Sequence, residues 1–168
     1  LVVLNDTPPD TSKVNLFSKI AGHYNVAHLD SAKAFAEKGL ELAKKLNYVD
    51  GEWEALNVLG NYYERKTDYE NSLKNYNAAL VLIETANSTK GIAVVKNNIA
   101  TIYIHKGEYQ KAIPLLFEAL KAEEVLKNEN GIAQAYNNIG VVYYYMQDFD
   151  KTTMYLTKAL EIQKGLGN

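Results

Sequence analysis

A period of forty residues governs this chain. Gly51, Gly91 and Gly131 stand forty apart, as do Leu59-Gly60, Ile99-Ala100 and Ile139-Gly140, and as do Tyr63, Tyr103 and Tyr143. The phrase GIAQAYNNIGVVYYY at 131–145 restates GIAVVKNNIATIYIH at 91–105 and, more faintly, GEWEALNVLGNYYER at 51–65. A unit this short cannot bury its own apolar face, so it must stack on its neighbours. Self-similarity at a fixed period therefore restricts the fold to an array.

Each unit divides in two. After the shared tyrosine comes a break, at Thr67-Asp68-Tyr69, Gly107-Glu108-Tyr109 and Gln147-Asp148-Phe149. A second periodic segment then runs to Ala79-Leu80, Ala119-Leu120 and Ala159-Leu160. Leu56, Leu59, Gly60 and Tyr63 recur at helical spacing and form one buried stripe. The pattern predicts two helices and a tight turn per unit. The small residue at 60, 100 and 140 lets the partner helix approach. Asp68 and Asp148 are expected to cap the second helices, and Asp50, Ser88 or Thr89, and Asn130 the next first helices. Asp10, Thr11 or Ser12 would cap the earliest helix. Pro114 lies about one turn into a second helix, where it removes only the bond to Gln110.

The repeat also explains the aromatic usage, with 13 Tyr against four Phe and one Trp. Tyr63, Tyr103 and Tyr143 read as interhelix packers, and Tyr69, Tyr109 and Phe149 as turn packers. Trp53 is either a packer or a rim contact. Residues 28–50 align without gaps on 68–90, so an earlier unit is present in degenerate form. In it Ile20-Ala21 and Tyr24 take the Leu-Gly and Tyr positions if one residue is lost from the turn. The expected organisation is an extended tail over 1–10, kept extended by Pro8-Pro9, and an array over 11–168. Its repeats are 11–50 (degenerate), 51–90, 91–130 and 131–168. Residues 163–168 reach the point where a further unit would begin, and no polar capping helix follows. The expectation is that the native chain continues, or that this end packs on another molecule.

Bulk properties exclude several functions. The formal charge of -2 offers no basic excess for nucleic acid. Absence of cysteine excludes disulfides and thiolate metal sites, and is compatible with any compartment. No apolar run approaches the roughly 18–20 residues of a membrane span, so this segment is not expected to insert in a membrane. His23 and His28 do not share a helix face at metal-binding spacing. No His-Glu-x-x-His, Gly-rich phosphate loop or Gly-x-Ser-x-Gly occurs. Neither an enzyme nor a cofactor is expected.

The residues Leu59, Gly60, Tyr63, Ser72, Tyr76 and Ala79 form a pattern. Ile99, Ala100, Tyr103, Ala112, Leu116 and Ala119 repeat it, as do Ile139, Gly140, Tyr143, Thr152, Leu156 and Ala159. The pattern resembles the tetratricopeptide repeat. Ser72 and Thr152 depart from the usual small Ala, and the usual Pro late in the second helix is missing. The forty-residue length and the phrase Asn-Asn-Ile-(Gly/Ala) look like the long-repeat subclass. That subclass is found in kinesin light chains, polarity scaffolds, peptide-pheromone receptors of Gram-positive bacteria, and bacterial sensor kinases and regulators. The Lys/Asn/Tyr-rich wording looks bacterial. The resemblance implies an all-α fold, a right-handed α-solenoid of antiparallel helix pairs with about four repeats and eight helices. It further implies that the first helices line a concave face that holds peptides or partner proteins.

By that resemblance one stripe of the first helices faces the groove. It comprises Asn57, Asn61 and Arg65, then Asn97, Thr101 and His105, then Asn137, Val141 and Tyr145. Glu54 and Glu64, Val94 and Ile104, and Gln134 and Tyr144 flank it. An amide side chain both donates and accepts, so a ladder of Asn57, Asn97 and Asn137 suits an extended backbone of any sequence. Tyr144, Tyr145 and Ile104 would be apolar anchors, and Arg65 or His105 a charge contact. The alternative is that these asparagines bond neighbouring helices. Asn98 and Asn138, one residue further round, read as braces of the packing, and Glu123-Glu124 as a solvated outer face. Three functions fit: a non-catalytic peptide- or protein-binding module, the sensory part of a longer signalling protein, and a spacer that self-associates through its C-terminal end.

Overall fold

Among the described residues, every helix after the first stops in one way. The computed structural model describes residues 10–23 and 29–167. Positive φ occurs at Asn47, Thr67, Asn87, Gly107, Lys127, Gln147 and Gly167. These positions recur at half the sequence period. In three of the turns the geometry is nearly identical. Thr67 donates its N–H to the Glu64 carbonyl at 2.8 Å and Asp68 to that of Tyr63 at 2.9 Å. Gly107 and Glu108 bond Ile104 and Tyr103 at 2.9 and 2.8 Å, and Gln147 and Asp148 bond Tyr144 and Tyr143 at 3.0 Å each. This left-handed stop satisfies carbonyls that a helix end otherwise leaves open.

The residue after the left-handed one opens the next helix. The Asp68 carboxylate accepts from the Asn71 backbone N–H at 3.1 Å, and Asp148 from that of Lys151 at 3.1 Å. The Asn71 side-chain amide, together with its N–H, holds the Asp68 carboxyl below its ordinary range. Lys151 does the same for Asp148. The cap contribution is thus complete above the ordinary carboxylate range and is lost as pH falls through the depressed folded-state value. Within each unit so short a link leaves consecutive helices antiparallel and adjacent.

Eight helices result among the described residues, with no strand. They are α1 (Thr11–His23), α2 (Leu29–Lys45), α3 (Val49–Arg65), α4 (Tyr69–Thr85), α5 (Thr89–His105), α6 (Tyr109–Leu126), α7 (Glu129–Tyr145) and α8 (Phe149–Gly165). They fall into two compact units, Leu1–Asn87 and Ser88–Asn168.

In the first unit Ala21, Ala36 and Leu59 form a buried cluster against Phe35, Leu40 and Val58. The α3–α4 pair is close at Gly60, where a Cβ would fall 2.3 Å from Cε1 of the wholly buried Tyr76. Ser72 fixes the same contact by donating its hydroxyl to the Gly60 carbonyl at 3.0 Å. The Tyr62 hydroxyl donates to the Asp30 carboxylate at 3.0 Å and ties α3 to α2.

The second unit is built around Ala100, Leu116, Leu120, Ile139 and Val142. Tyr103, Tyr136, Tyr143 and Tyr155 pack on this cluster from its margins. A Cβ on Gly140 would fall 2.7 Å from Cδ2 of Leu156. Lys111 lies over the Tyr103 ring at 5.5 Å and Lys151 over the Tyr143 ring at 4.8 Å, the same cation–π contact one repeat apart.

Several expectations need correction. Two first helices begin earlier than Asp50 and Asn130, with Tyr48 and Asn128 at the cap position and no side-chain cap bond. The reason is the left-handed stop, which places the next helix start two residues before those side chains. Asp50 instead accepts from the Trp53 indole N–H at 3.1 Å, and Trp53, 3% exposed, is a core packer. Phe149 is 61% exposed and does not close its turn, because its ring lies edge-on to Tyr144 at the surface. Ser88 caps α5 through the Gly91 N–H, and Asp10 caps α1 through that of Lys13. Pro114 lies inside α6 without ending it. Tyr24, His28 and the apolar residues 1–4 lie outside the described residues.

Thr67 is the one β-branched residue among the described left-handed positions, with φ 60°. Left-handed φ costs a side-chain-bearing residue about 1–2 kcal/mol, less for Asn, which bonds locally. Asn already holds this position at 47 and 87. Thr67→Asn is expected to stabilise the fold by roughly 0.5–1 kcal/mol. A higher thermal midpoint checks this, and an unchanged or lower one contradicts it.

Candidate functional site

The expected groove stripe of the second unit lies along α5 and α7. Toward the C-terminal ends of these helices it borders an open cleft of about 600 Å³. Helix α5 contributes Thr101, Ile104 and His105, and α7 contributes Asn138, Val141 and Tyr145. Lys106 and Gly107 of the turn after α5, and Tyr109 at the start of α6, complete the wall. The Tyr145 ring stacks on Tyr109 at 5.6 Å with 2° between the planes. Tyr144 meets Tyr145 edge-on at 5.9 Å and Phe149 at 6.3 Å. Tyr144 and Tyr145 are 58% and 53% exposed. The rings therefore hold one another in place while leaving large apolar faces in water. His105 and Lys106 line this end, and Lys106 is paired with Glu108 at 2.9 Å.

A smaller pocket of about 140 Å³ lies toward the N-terminal ends of the same two helices. Val94, Asn97 and Asn98 line it from α5, and Gly131 and Gln134 from α7. Glu123 enters it from α6 and accepts from the Asn128 side-chain amide at 2.8 Å. A Cβ on Gly131 would fall 2.3 Å from Cδ of Glu123, so glycine there makes room for the carboxylate. Glu123 is half-buried and does not belong to a solvated outer face, as expected for Glu123-Glu124 together; Glu124 alone is exposed.

One hydrogen bond stands between the two pockets. Asn138 Nδ2 donates to Asn97 Oδ1 at 2.8 Å and so joins α7 to α5. Asn97 lines the smaller pocket and Asn138 the larger cleft. Asn138 is thus a brace and a lining residue at once. Thr101 donates its hydroxyl to the Asn97 carbonyl at 3.0 Å within α5. Asn137, on the neighbouring stripe of α7, is exposed.

In the first unit the stripe belongs to α3. Glu54, Asn57, Asn61 and Glu64 are half-buried, and Arg65 is exposed. The Tyr76 hydroxyl lies 2.6 Å from Asn61 Oδ1 and 2.9 Å from Glu64 Oε2. Burial, reinforced by the Glu64 charge, pushes the Tyr76 phenol far above its ordinary range. Asn61 and Glu64 are therefore engaged in the packing of α3 on α4. Asn61 and Arg65 also border a small recess of about 50 Å³ with Val58 and Tyr62.

Glu123, Tyr109 and Asn138 are the site residues that the sequence pattern assigned to other duties. Only Gly131 offered a signal, as a missing side chain opposite a second-helix carboxylate. Among the described residues no group of three or more His, Cys, Asp or Glu is arranged to hold a metal ion, and no helix is long and apolar enough to cross a membrane.

Comparison with known proteins identifies the architecture. The family model of the tetratricopeptide repeat matches residues 52–124 and 91–165. No curated protein sequence matches the chain. Similar solved structures include BtubC from P. vanneervenii, with TM-score 0.78 and 22% identity over 92% of this chain and 63% of that one. Aspartyl phosphate phosphatase F from Bacillus subtilis has TM-score 0.84 and 19% identity, covering 94% of this chain and 42% of its own. A signal transduction ATPase with a tetratricopeptide repeat sensor, from Pyrococcus horikoshii, has TM-score 0.74 and 23% identity, covering 89% and 24%. The chain spans less than two thirds of each of these proteins. They share its all-α helical-repeat fold. Repeats of this type are generally non-catalytic scaffolds that bind proteins or peptides. With two overlapping family matches and a backbone that repeats in step with them, the chain belongs to the tetratricopeptide repeat family.

Proposed function

We propose that the chain is a non-catalytic docking module that holds an extended peptide, or a segment of a partner protein, along α5 and α7. The observation that carries this is the open cleft with Tyr145 in its wall and Tyr144 edge-on to that ring, both more than half exposed. Rigid aromatic rings gain contact area at little entropic cost and are enriched among residues that dominate interfaces. The amides beside them supply sequence-independent bonds to a backbone. The module fits the input or regulatory part of a larger bacterial signalling protein, such as a sensor kinase or a peptide-responsive regulator. The sensor of the signal transduction ATPase, of similar fold, supports that context.

Panning a random twelve-residue peptide library on the chain tests this reading. Selected peptides are expected to lose about tenfold or more in affinity on Tyr145→Ala, the loss of a strong aromatic anchor. Asn137→Ala is expected to weaken them less, with the helical circular dichroism of both variants unchanged. Peptides that bind both variants as well as the parent chain contradict the assignment.

A second reading rests on α8. Leu156 and Leu160 are 37% and 49% exposed, whereas Leu116 and Leu120, their counterparts one repeat earlier, are 0% and 6%. An apolar row that α6 buries is open on α8, which favours self-association through this face. Sedimentation equilibrium is expected to show a concentration-dependent mass that Leu160→Glu abolishes. A constant monomer mass across the concentration range contradicts it.

A further inference from the structure

We infer that the α5–α7 face selects a two-point ligand: a peptide with an arginine or lysine at one end and an aromatic residue four to five positions away. This deepens the docking reading and rests on it. The two pockets differ in chemistry. The smaller holds the Glu123 carboxylate among the amides of Asn97, Asn98 and Gln134, with no cationic side chain in its lining. The larger holds the Tyr109–Tyr145 stack beside His105 and Lys106.

A carboxylate has about four acceptor positions, and the Asn128 amide takes one on Glu123 Oε2. The remaining capacity suits a guanidinium or ammonium group, through charge-assisted hydrogen bonds. Glu123 also stands near the start of α7, where a carboxylate offsets the helix dipole. That duty alone needs no recess, yet the carboxylate, seated against Gly131, lines one of about 140 Å³. At the other end Glu108 already neutralises Lys106, and the stacked tyrosines present a flat apolar face to an aromatic side chain. A carboxylate at one end and a ring stack at the other thus fix which end takes which residue.

The helices set the spacing. Val94 and Gln134 lie at the level of the acidic pocket, and Ile104 and Tyr145 at that of the aromatic cleft. These levels are about ten residues apart along the helices, or ~15 Å. An extended chain advances ~3.3 Å per residue, so four to five positions cover the distance. The Asn97–Asn138 bond lies under the middle of that path.

The test uses the full chain and fluorescein-labelled Gly/Ser peptides carrying one Arg and one Trp at separations from one to nine. Anisotropy titrations are expected to give the tightest binding at four or five. Replacing Arg by citrulline, which keeps the shape and removes the charge, is expected to weaken binding about tenfold, as for loss of a charge-assisted bond. Glu123→Gln is expected to erase the preference for Arg over citrulline, while Tyr145→Ala weakens every peptide. If Tyr145→Ala weakens binding but citrulline matches Arg, or if Glu123→Gln leaves the preference intact, the two-point inference is overturned and the docking reading stands. No spacing optimum overturns it as well. Binding that ignores Tyr145→Ala, or no binding by any peptide, overturns both.

Discussion

The left-handed residue that ends each helix from α2 onward is the constraint on which the rest depends. It fixes helix length, since all complete helices from α2 onward have 17 residues except α6 with 18. Equal lengths keep side chains in phase, so a position on α5 meets its counterpart on α7 at the same height. The Asn97–Asn138 bond and the two pockets beside it follow from that register. Positive φ at Thr67, Lys127 and Gln147 costs roughly 1–2 kcal/mol each relative to glycine. The cost is offset because two backbone N–H groups of each turn find carbonyls that otherwise lack partners.

The site and the scaffold are made from the same residues. Ser72, Tyr76 and Gly60 close the α3–α4 pair, and the Tyr76 hydroxyl reaches through to Asn61 and Glu64 on the stripe beyond. In the second unit Tyr109 both packs against the core and stacks on Tyr145. A surface organised in this way is held rigid by core packing. Rigidity of that kind lowers the entropic cost of capturing a flexible partner.

Much of this was legible in the sequence. The forty-residue phase located the buried Leu59, Ile99 and Ile139, the small residues between helices, and the caps at Asp68 and Asp148. Helical spacing also placed Thr101, Ile104, His105, Val141 and Tyr145 on one face. What escaped depends on register between helices rather than along one. Asn138 reads from the sequence as a brace of the packing, but no periodicity within either helix announces Asn97 as its partner. Glu123 looked outward because second-helix carboxylates usually do, and only the backbone path of α7 at Gly131 turns it into a pocket. The cap positions were misplaced at Asp50 and Asn130 for a related reason. A left-handed stop is invisible when its residue is Asn47 or Lys127 rather than glycine.

The pairing of small against large residues bears on how such a chain can grow. Gly60 faces Tyr76 and Gly140 faces Leu156, each pair lying within one helical hairpin. The backbone is indifferent to whether it is lengthened by one helix or by two, because every turn is alike. The side chains are not indifferent, since one more helix would set glycine opposite glycine or tyrosine opposite leucine, leaving a void or a clash. Lengthening or shortening that keeps the packing intact is therefore quantised in hairpins. A whole hairpin carries its own lock and key and can be copied or deleted in one step, whereas a break inside one needs compensating substitutions on both sides.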